Sequence, residues 1–266
     1  MLDDPRSNRV KGIVRLNQKD ARYETGLFLL EGAQGLKELV SSPKLIEEVL
    51  VTIDGAERQA ELIDSLSKKR VTITQVSDQV MAQIAGTRTP QGIVSVVQHL
   101  DVELEDLMST KPKLIAVIDQ ARDPGNLGAI IRAADAAGAD GIILSADSVD
   151  LYNPKVTRST AGSIFNIPIV IDADLVEAIS MLKKIGLQVL SSSSNGSPIT
   201  DLHPTELAQP TAWIFGNEAH GVRTEVASIA DKTVALPIFG AAESLNLATA
   251  ASVCLYFTAV AQRSNH

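Results

Sequence analysis

In the later part of the chain, short continuous apolar runs alternate with segments whose apolar residues recur at helical spacing. The runs predict strands over residues 113–119, 141–145, 167–171, 188–191 and 212–215. The periodic segments predict helices over residues 127–137, 174–184 and 245–261. Continuous apolar strands that alternate with helices are typical of a parallel sheet covered on both faces. We therefore expect a parallel α/β domain from residue 113 onward.

The earlier part of the chain shows a shorter alternation of the same kind. Strands are predicted over residues 27–31, 48–53, 71–74 and 92–98, and a helix over residues 60–69. A polar, acidic stretch closed by Pro112 follows. The pattern predicts a small α/β domain over residues 1–98, a linker over residues 99–112 and the larger domain over residues 113–266. Within the larger domain, the polar run from Ser191 to Pro198 predicts a loop.

The composition indicates a globular protein with an aliphatic core. Of the 266 residues, 45% are hydrophobic and 21% are charged, whereas aromatic residues make up only 3%. The first residues are polar and no apolar run is long enough to cross a bilayer, so we expect neither a signal peptide nor a membrane span. The single cysteine, Cys254, excludes an intramolecular disulfide and a thiolate zinc cluster. We expect a cytoplasmic protein.

The charge distribution leaves two interpretations open. A net charge of −8 argues against a broad surface for polyanions such as nucleic acids. Residues 1–22 nevertheless hold a local excess of basic side chains, which are Arg6, Arg9, Lys11, Arg15, Lys19 and Arg22. This cluster is either an ordinary solvated helix face or a local patch that binds a polyanion.

Three turns follow predicted strands of the larger domain, where ligands bind in open parallel sheets. The first is DQARDPGNLGAIIR, residues 119–132, in which Asn126 is a plausible N-cap of the next helix. The third is LPIFGAAESLNL, residues 236–247, in which Ser244 offers a helix cap and Asn246 follows inside the helix. Capping accounts for Ser244 but leaves Asn246 unexplained.

The second turn, GNEAHG over residues 216–221, has the glycine spacing of half a P-loop. Val222 and Arg223 stand where a P-loop needs a lysine and a hydroxyl residue for phosphate and Mg²⁺, so we reject a P-loop. Glu218 places a carboxylate inside this turn, which suits either a structural or a catalytic role. None of the three turns carries the GxGxxG of a dinucleotide site.

The sequence lacks the usual signatures of metal or nucleophilic catalysis. The 4 histidines show no metal-ligand spacing, and no GxSxG element is present. His220 is the histidine that falls in one of the three turns. The residues by themselves therefore indicate a parallel α/β domain with three ligand-binding turns, and no particular reaction.

Together, the three turns resemble the three motifs of the SpoU (TrmH-like) RNA 2′-O-ribose methyltransferases of the SPOUT class. The motif segments occur in order as GNLGAIIRAADAAGADGIIL, WIFGNEAHGV and LPIFGAAESLNLATAA. The intervening segment YNPKVTRSTAGSIFNIPI is also similar to the family, so the resemblance covers residues 113–266. Residues 5–98 more loosely resemble the family's substrate-binding domain through SNRVK, KDARYETGLFLLEG and TRTPQGI.

The resemblance implies a fold, a cofactor and an assembly. The implied fold is a parallel-sheet SPOUT domain with a deep trefoil knot, preceded by an α/β domain similar to ribosomal RNA-binding proteins. The knotted loops would bind S-adenosylmethionine, and the active sites of a homodimer would lie at the subunit interface. The implied reaction is methylation of a ribose 2′-hydroxyl in RNA. Large-subunit (23S) ribosomal RNA is the favoured substrate, since the extra N-terminal domain resembles that of rRNA-modifying relatives; no metal and no membrane is implied.

The resemblance also implies roles for single residues. The catalytic cluster matches Asn126, Arg132, Glu218, Ser244 and Asn246. The cofactor-binding positions match Gly216, Asn217, Gly221, Leu236, Ile238 and Leu245. The RNA-binding positions match Lys11, Arg22, Arg88 and Arg158, of which the last is implied to act from the partner subunit. The resemblance implies that Arg132 activates the 2′-hydroxyl. Because an arginine side chain is not expected to deprotonate in proteins, the alternative is that Arg132 positions a phosphate and stabilises developing negative charge.

Two alternatives stay open beside ribosomal RNA methylation. One is a tRNA 2′-O-methyltransferase, and the other is a non-catalytic RNA-binding or ribosome-assembly protein that kept the fold. The complete catalytic cluster disfavours the second. A nucleotide-dependent oxidoreductase is disfavoured because the fingerprint glycines are missing.

Overall fold

The computed structural model describes residues 1–87 and 89–264. The strands are β1 (Leu27–Glu31), β2 (Ile46–Val51), β3 (Ile73–Gln75), β4 (Ile93–Gln98), β5 (Leu114–Ile118), β6 (Gly141–Ser145), β7 (Ile169–Ala173), β8 (Gln188–Pro198), β9 (Thr211–Phe215) and β10 (Lys232–Ala235). The helices are α1 (Asn8–Arg15), α2 (Lys19–Thr25), α3 (Ala33–Glu38), α4 (Ile53–Arg58), α5 (Ala60–Lys68), α6 (Asp78–Ile84), α7 (Leu104–Ser109), α8 (Pro124–Ala137), α9 (Pro154–Ser159), α10 (Leu175–Lys184), α11 (Pro204–Leu207), α12 (Thr224–Ala227) and α13 (Leu247–Ser264). Short 3₁₀ helices cover Leu39–Ser41, Pro43–Leu45, Ser163–Phe165 and Ile199–Asp201.

The contacts within the chain define two compact units. The first unit comprises Met1–Leu100 and Asp150–Phe165, and the second comprises Asp101–Val149 and the chain from Asn166 onward. This division differs from the one drawn on the sequence, because residues 101–112 are no free linker: α7 buries Leu107 and Met108 in the core of the second unit. Residues 150–165 belong to the first unit, where the Tyr152 ring stacks on His99 with centroids 3.8 Å apart.

The first unit is built on a mixed four-stranded sheet in the order β1-β4-β2-β3. Strand β4 is antiparallel to both β1 and β2, whereas β3 joins β2 in parallel. Helix α1 begins where the Ser7 side chain accepts a hydrogen bond from Val10 N. Its apolar residues Val10 and Ile13 pack into a cluster with Leu29 and Leu50 of the sheet. Burial of this helix face fixes α1 on the sheet.

The second unit contains a six-stranded, wholly parallel sheet in the order β10-β8-β9-β5-β6-β7. Successive residues of a strand point to opposite faces of the sheet. On one face, Ile115 and Val117 of β5 pack into a hydrophobic core with residues of α7 and α10. On another strand, the fully buried Trp213 donates its indole N–H to Thr258 of α13 at 2.9 Å. The doubly covered parallel sheet confirms the predicted fold class, and the trefoil knot implied by the resemblance stays a prediction.

Strand β8 runs farther than the sequence predicted, since residues 191–198 were expected to form a loop. The reason is a long-range pairing with β10, in which Thr233 lies beside Ser191 and Val234 beside Ser197. Residues 192–196 bulge out between these two paired positions. Among the described residues, no helix has both the length and the hydropathy needed to cross a membrane.

Candidate active site

The first turn leaves β5 and enters α8 with a different cap from the predicted one. Asp123 is the N-cap, because its Oδ1 accepts a hydrogen bond from the backbone N–H of Asn126 at 2.8 Å. Pro124 occupies the first helical position, where a missing N–H costs nothing. The prediction that Asn126 caps the helix was therefore wrong. Asn126 lies inside the first turn of α8, and its side-chain amide is left to bond elsewhere.

The second turn closes tightly on itself after β9. Asn217 and Gly221 exchange two backbone hydrogen bonds of 2.9 Å each, so the chain doubles back over Gly216. A Cβ on Gly216 would lie 2.1 Å from Gly221 C and from Val222 N, a distance that no side chain tolerates. Gly221 has a φ of 71°, which glycine adopts without strain. Both glycines are thus required by the backbone path of this turn.

The third turn ends at Asn246, which is the cap of α13. Its Oδ1 accepts hydrogen bonds from the backbone N–H groups of Ala248 at 2.9 Å and Thr249 at 3.3 Å. The sequence had placed the cap at Ser244 and Asn246 inside the helix, and both placements were wrong. Helix α13 begins at Leu247, and Ser244 makes no hydrogen bond with any residue that the structure describes.

A chain of hydrogen bonds joins the three turns at the carboxyl ends of β5, β9 and β10. Asn126 donates its Nδ2–H to Glu218 Oε1 at 3.0 Å, and its Oδ1 accepts the Nδ2–H of Asn246 at 2.9 Å. An ionised carboxylate can only accept hydrogen bonds, so the Asn126 side chain must turn its NH₂ group, and not its oxygen, toward Glu218. The amide of Asn246 is fixed in turn, because its oxygen caps α13.

Glu218 is held as an ionised carboxylate. Partial burial by itself raises the pKa of Glu218, but hydrogen bonds from the Asn126 side chain and from the backbone N–H groups of Glu218, Arg122 and Asp123 outweigh it. The resulting pKa lies below the ordinary value for glutamate. A carboxylate with a lowered pKa is a poor proton acceptor, which favours an orienting role over general-base chemistry.

The three turns border one cleft of about 660 Å³ in the second unit. The residues from the predicted catalytic and cofactor sets that line it are Asn126, Glu218, Ser244, Asn246, Gly216, Asn217, Gly221, Leu236, Ile238 and Leu245. Arg132 does not line the cleft; it is exposed on α8 and has no polar partner among residues 1–87 and 89–264. Within the same described residues, no cluster of three or more His, Cys, Asp or Glu could hold a metal ion.

Sequence reasoning missed one wall of the cleft. This wall is the bulge of β8, whose residues line the cleft but belong to none of the three predicted turns. They are Ser192, Ser193, Ser194 and Asn195. The available signal was a polar run that directly follows a buried strand, at the edge of a parallel sheet where ligands bind. His220, noted in the second turn, also lines the cleft.

The residues expected to bind RNA belong to the first unit, and they differ in how exposed their side chains are. Lys11 is exposed on α1, and Arg158 is partly exposed with Nη1 3.1 Å from Glu31 Oε2. The structure contradicts the predicted RNA-binding role of Arg22, because its side chain is only 3% exposed and is paired with the buried Asp150. A guanidinium enclosed in this way is not accessible to an RNA phosphate. Arg88 lies outside the described residues.

Most of the basic cluster near the start of the chain is paired within the first unit. Arg9 contacts Glu48, and Arg15 Nη2 lies 3.1 Å from Glu24 Oε2. Arg6 Nε lies 4.0 Å from an oxygen of Asp4. These partners neutralise much of the local positive charge that the sequence suggested.

Comparison with known families matches both parts of the chain. Residues 113–256, more than half of the chain, match the SpoU rRNA methylase family. Residues 7–95 match the MRM3-like substrate binding domain. The two matches cover the segments in which the sequence suggested two domains.

Known proteins that are similar to this chain extend over nearly its whole length. The 23S rRNA (guanosine(2553)-2′-O)-methyltransferase RlmP of Bacillus subtilis is 33% identical over 256 residues, which are 96% of this chain and 97% of that protein. The 23S rRNA (uridine(2479)-2′-O)-methyltransferase of Streptomyces viridochromogenes is 29% identical over 253 residues, 93% of this chain and 87% of that protein.

Solved structures show the same likeness. An S-adenosylmethionine-bound rRNA methyltransferase from Sinorhizobium meliloti superposes with a TM-score of 0.84 at 30% identity, covering 97% of this chain and 96% of that one. The SpoU methyltransferase AviRb from Streptomyces viridochromogenes, in complex with the same cofactor, gives a TM-score of 0.83 at 26% identity over 98% and 100% of the two chains. The chain therefore belongs to the SpoU rRNA methylase family.

Proposed function

We propose that this protein transfers a methyl group from S-adenosylmethionine to the 2′-hydroxyl of a ribose in 23S ribosomal RNA. The observation that carries the proposal is the cleft, in which three turns distant in sequence join through the bonds among Glu218, Asn126 and Asn246. Family membership supports the reaction class, and the similar proteins named as 23S rRNA 2′-O-methyltransferases support the substrate. With ribosomal RNA as substrate, we expect the protein in the cytoplasm.

The cleft suits a nucleoside cofactor with an apolar and a polar portion. Leu236, Ile238 and Leu245 contribute apolar side chains, and Asn217 and Asn246 contribute polar amide groups. The apolar residues, with Gly216, Asn217 and Gly221, would hold S-adenosylmethionine, which supplies an electrophilic methyl group. The solved relatives that contain this cofactor share the fold over nearly the whole chain.

The remaining polar groups would orient the ribose. Methyl transfer forms a carbon–oxygen bond at the 2′-oxygen, breaks the carbon–sulfur bond of the donor and releases the hydroxyl proton. The Ser244 hydroxyl has no hydrogen-bond partner among the described residues, so it is available to the ribose. Glu218 fixes the orientation of the Asn126 amide by accepting its Nδ2–H. Arg132, an exposed cation that does not line the cleft, would hold a phosphate of the bound RNA. Alignment of the reacting atoms is the main contribution of such a site.

The first unit would hold the RNA. Of the described residues in the predicted RNA-binding set, Lys11 is exposed without an ionic partner, and Arg158 is exposed but would have to exchange its pairing with Glu31 for an RNA phosphate. Arg88 completes that set. The match of residues 7–95 to a substrate binding domain supports this assignment. Arg22 is excluded by its burial.

A homodimer is the assembly that we propose. Helix α13 exposes Tyr256, Phe257 and Val260, with 45%, 45% and 60% of their surface accessible, and their spacing puts them on one helix face. An apolar stripe of this kind marks a protein–protein contact. Light scattering of Phe257→Glu should show a monomer, whereas Val176→Glu, at an exposed apolar position of α10, should leave the dimer intact. A wild-type protein that is monomeric at micromolar concentration would refute the assembly.

The decisive experiment is methyl transfer to RNA followed by mapping of 2′-O-methyl groups. The purified protein, incubated with S-adenosylmethionine and deproteinised ribosomal RNA or intact large subunits, should modify a single ribose of 23S RNA. Glu218→Ala, tested in parallel, should bind RNA normally and modify little. Methylation of tRNA instead would redirect the proposal to that substrate. Cofactor binding without any methylated RNA would favour the non-catalytic alternative.

A further inference from the structure

Asp119 and Arg223 form an ion pair between a buried carboxylate and a partly exposed guanidinium, which the proposed reaction does not yet use. Asp119 directly follows β5 and is fully buried. Its Oδ1 accepts the Nε–H of Arg223 at 2.8 Å, and its Oδ2 accepts the backbone N–H of the same residue at 2.9 Å. The arginine thus grips one carboxylate at two points. The sequence offered Arg223 only as a reason to reject a P-loop.

The pair stands at one end of two loops that run side by side. We call residues 119–123 and 216–223 the paired loops. Beyond the Asp119–Arg223 end, Asn217 donates its Nδ2–H to the carbonyl oxygen of Gln120 at 2.8 Å. Farther along, the two oxygens of Glu218 accept the backbone N–H groups of Arg122 and Asp123, each at 3.3 Å. The contacts between the paired loops therefore run from the Asp119–Arg223 pair at one end to Glu218 at the other.

Physical chemistry indicates that this pair contributes geometry more than stability. Burial of a carboxylate costs so much solvation that the attraction of its cation mostly offsets that cost and adds little net stability. A planar guanidinium that approaches with its Nε–H, beside the backbone N–H of the same residue, instead fixes direction as well as distance. Gln120, next to Asp119, has a φ of 58°, so the loop holds a backbone conformation that needs external support.

We propose that Asp119 and Arg223 are positioning residues, which hold the paired loops so that Glu218 meets the amide of Asn126. This inference rests on the proposed function for its effect on methyl transfer. The proposed cofactor set is divided between the paired loops, which carry Gly216, Asn217 and Gly221, and the third turn, which carries Leu236, Ile238 and Leu245. Because the third turn keeps its half of the set, loss of the pair should slow the chemical step more than it weakens cofactor binding.

The test separates positioning from stability by removing one charge and then both. Arg223→Gln leaves Asp119 buried without its cation, so the melting temperature should fall. Asp119→Asn combined with Arg223→Gln removes the uncompensated charge, so the melting temperature should largely recover. The single-turnover rate at saturating cofactor and RNA should stay about tenfold below wild type in both variants, with the cofactor Kd within about threefold.

The control is Glu225→Gln, since Glu225 is an exposed partner that accepts from Arg223 Nη1 at 3.0 Å on the solvent side. This variant should keep the wild-type rate and melting temperature. A rate in the double variant that recovers together with its melting temperature would overturn the proposal, because the pair would then only stabilise the fold. A Kd for the cofactor that rises as much as the rate falls would also overturn it.

Amide hydrogen exchange tests the same proposal without any need for activity. In the double variant, the backbone amides of Arg122, Asp123 and Gly221 should exchange faster than in wild type and in Glu225→Gln. Unchanged exchange would refute the positioning role. If the wild-type protein methylates no RNA, the proposed function fails, whereas the exchange result still decides whether the pair holds the loops.

Discussion

The two units treat their polar residues in opposite ways. In the first unit, basic side chains that stand out in the sequence are mostly paired with acidic ones, as Arg9 is with Glu48 and Arg22 with Asp150. In the second unit, polar side chains from three turns bond to one another and still line an open cleft. The comparison shows that residue type alone does not identify a binding site. Whether a side chain is available to a ligand depends on the residues that surround it.

The pairing of Arg22 gives the sharpest test of this comparison and the largest expected effect. Arg22→Ala would leave Asp150 buried without a cation, because the pair is almost wholly enclosed. We expect a loss of about 3–5 kcal/mol in the free energy of unfolding. Urea titration followed by circular dichroism measures it.

The matched control is Lys11→Ala, at an exposed position of the same unit. Its free energy of unfolding should stay within about 0.5 kcal/mol of wild type. Its RNA affinity should fall, and the slope of log affinity against log salt should decrease by about one. If Arg22→Ala unfolded no more easily than Lys11→Ala, the burial of the Arg22–Asp150 pair would be contradicted.

Gly216→Ala should be the most damaging change in the second unit. A Cβ at this position would meet backbone atoms of Gly221 and Val222 at 2.1 Å, so the second turn must move. A displacement of about 1 Å in a site that works by alignment lowers the rate by on the order of a hundredfold. Cofactor calorimetry and single-turnover methyl transfer should both register it.

Gly12→Ala provides the comparison in the first unit. Gly12 lies in α1, and a Cβ there would meet nothing within 4 Å. The substitution should stabilise the helix by about 1 kcal/mol, since alanine is the better helix former. Equal losses of activity in the two glycine variants would mean that the tight turn is not what Gly216 provides.

Asn246→Asp separates the two tasks of the residue that caps α13. An aspartate keeps the oxygen that accepts from Ala248 and Thr249 but loses the Nδ2–H that reaches Asn126. The melting temperature should therefore stay near the wild-type value while turnover falls by roughly tenfold or more. Asn246→Ala should lower both, since the cap is lost as well. Full turnover in Asn246→Asp would show that the bond to Asn126 is dispensable.

The pH dependence of Glu218 is the smallest expected effect. Its pKa is lowered in the folded protein, so its hydrogen bonds contribute stability at pH values above the ordinary glutamate pKa. That contribution is lost as the pH falls through the lowered value. Unfolding titrations of wild type and Glu218→Gln should therefore differ by a constant amount near neutral pH, and the difference should shrink in acid. A difference that grows in acid would reverse the assigned direction.

Much of the fold could be predicted because it depends on local patterns. The continuous apolar runs of β5 and β6 are buried on both faces, and that burial is what the pattern predicted. The far end of β8 could not be predicted, because Ser197 and Pro198 become strand residues only through pairing with Val234 and Ala235. Polar residues carry no apolar pattern to reveal such a pairing.

The helix caps show the same limit at the site. Asp123, Asn126, Ser244 and Asn246 are all residue types that cap helices, so the sequence offered several starting points. The residue that caps is the one whose backbone is extended just before the first helical turn, and the path of the chain between strand and helix decides which one that is. Asp123 has such an extended backbone, and both Asp123 and Asn246 accept the N–H groups that begin their helices.

The sequence by itself determined which chemical groups each turn can offer, because the glycines, amides and carboxylate of the three turns are fixed by residue type. It also determined the parallel sheet that brings strand ends together. Only the tertiary structure decided which charges remain free. Hydrogen bonds and ion pairs depend on distances between residues far apart in the chain, such as Arg22 with Asp150 or Asp119 with Arg223. Those distances arise when the strands and helices pack, and no local pattern encodes them.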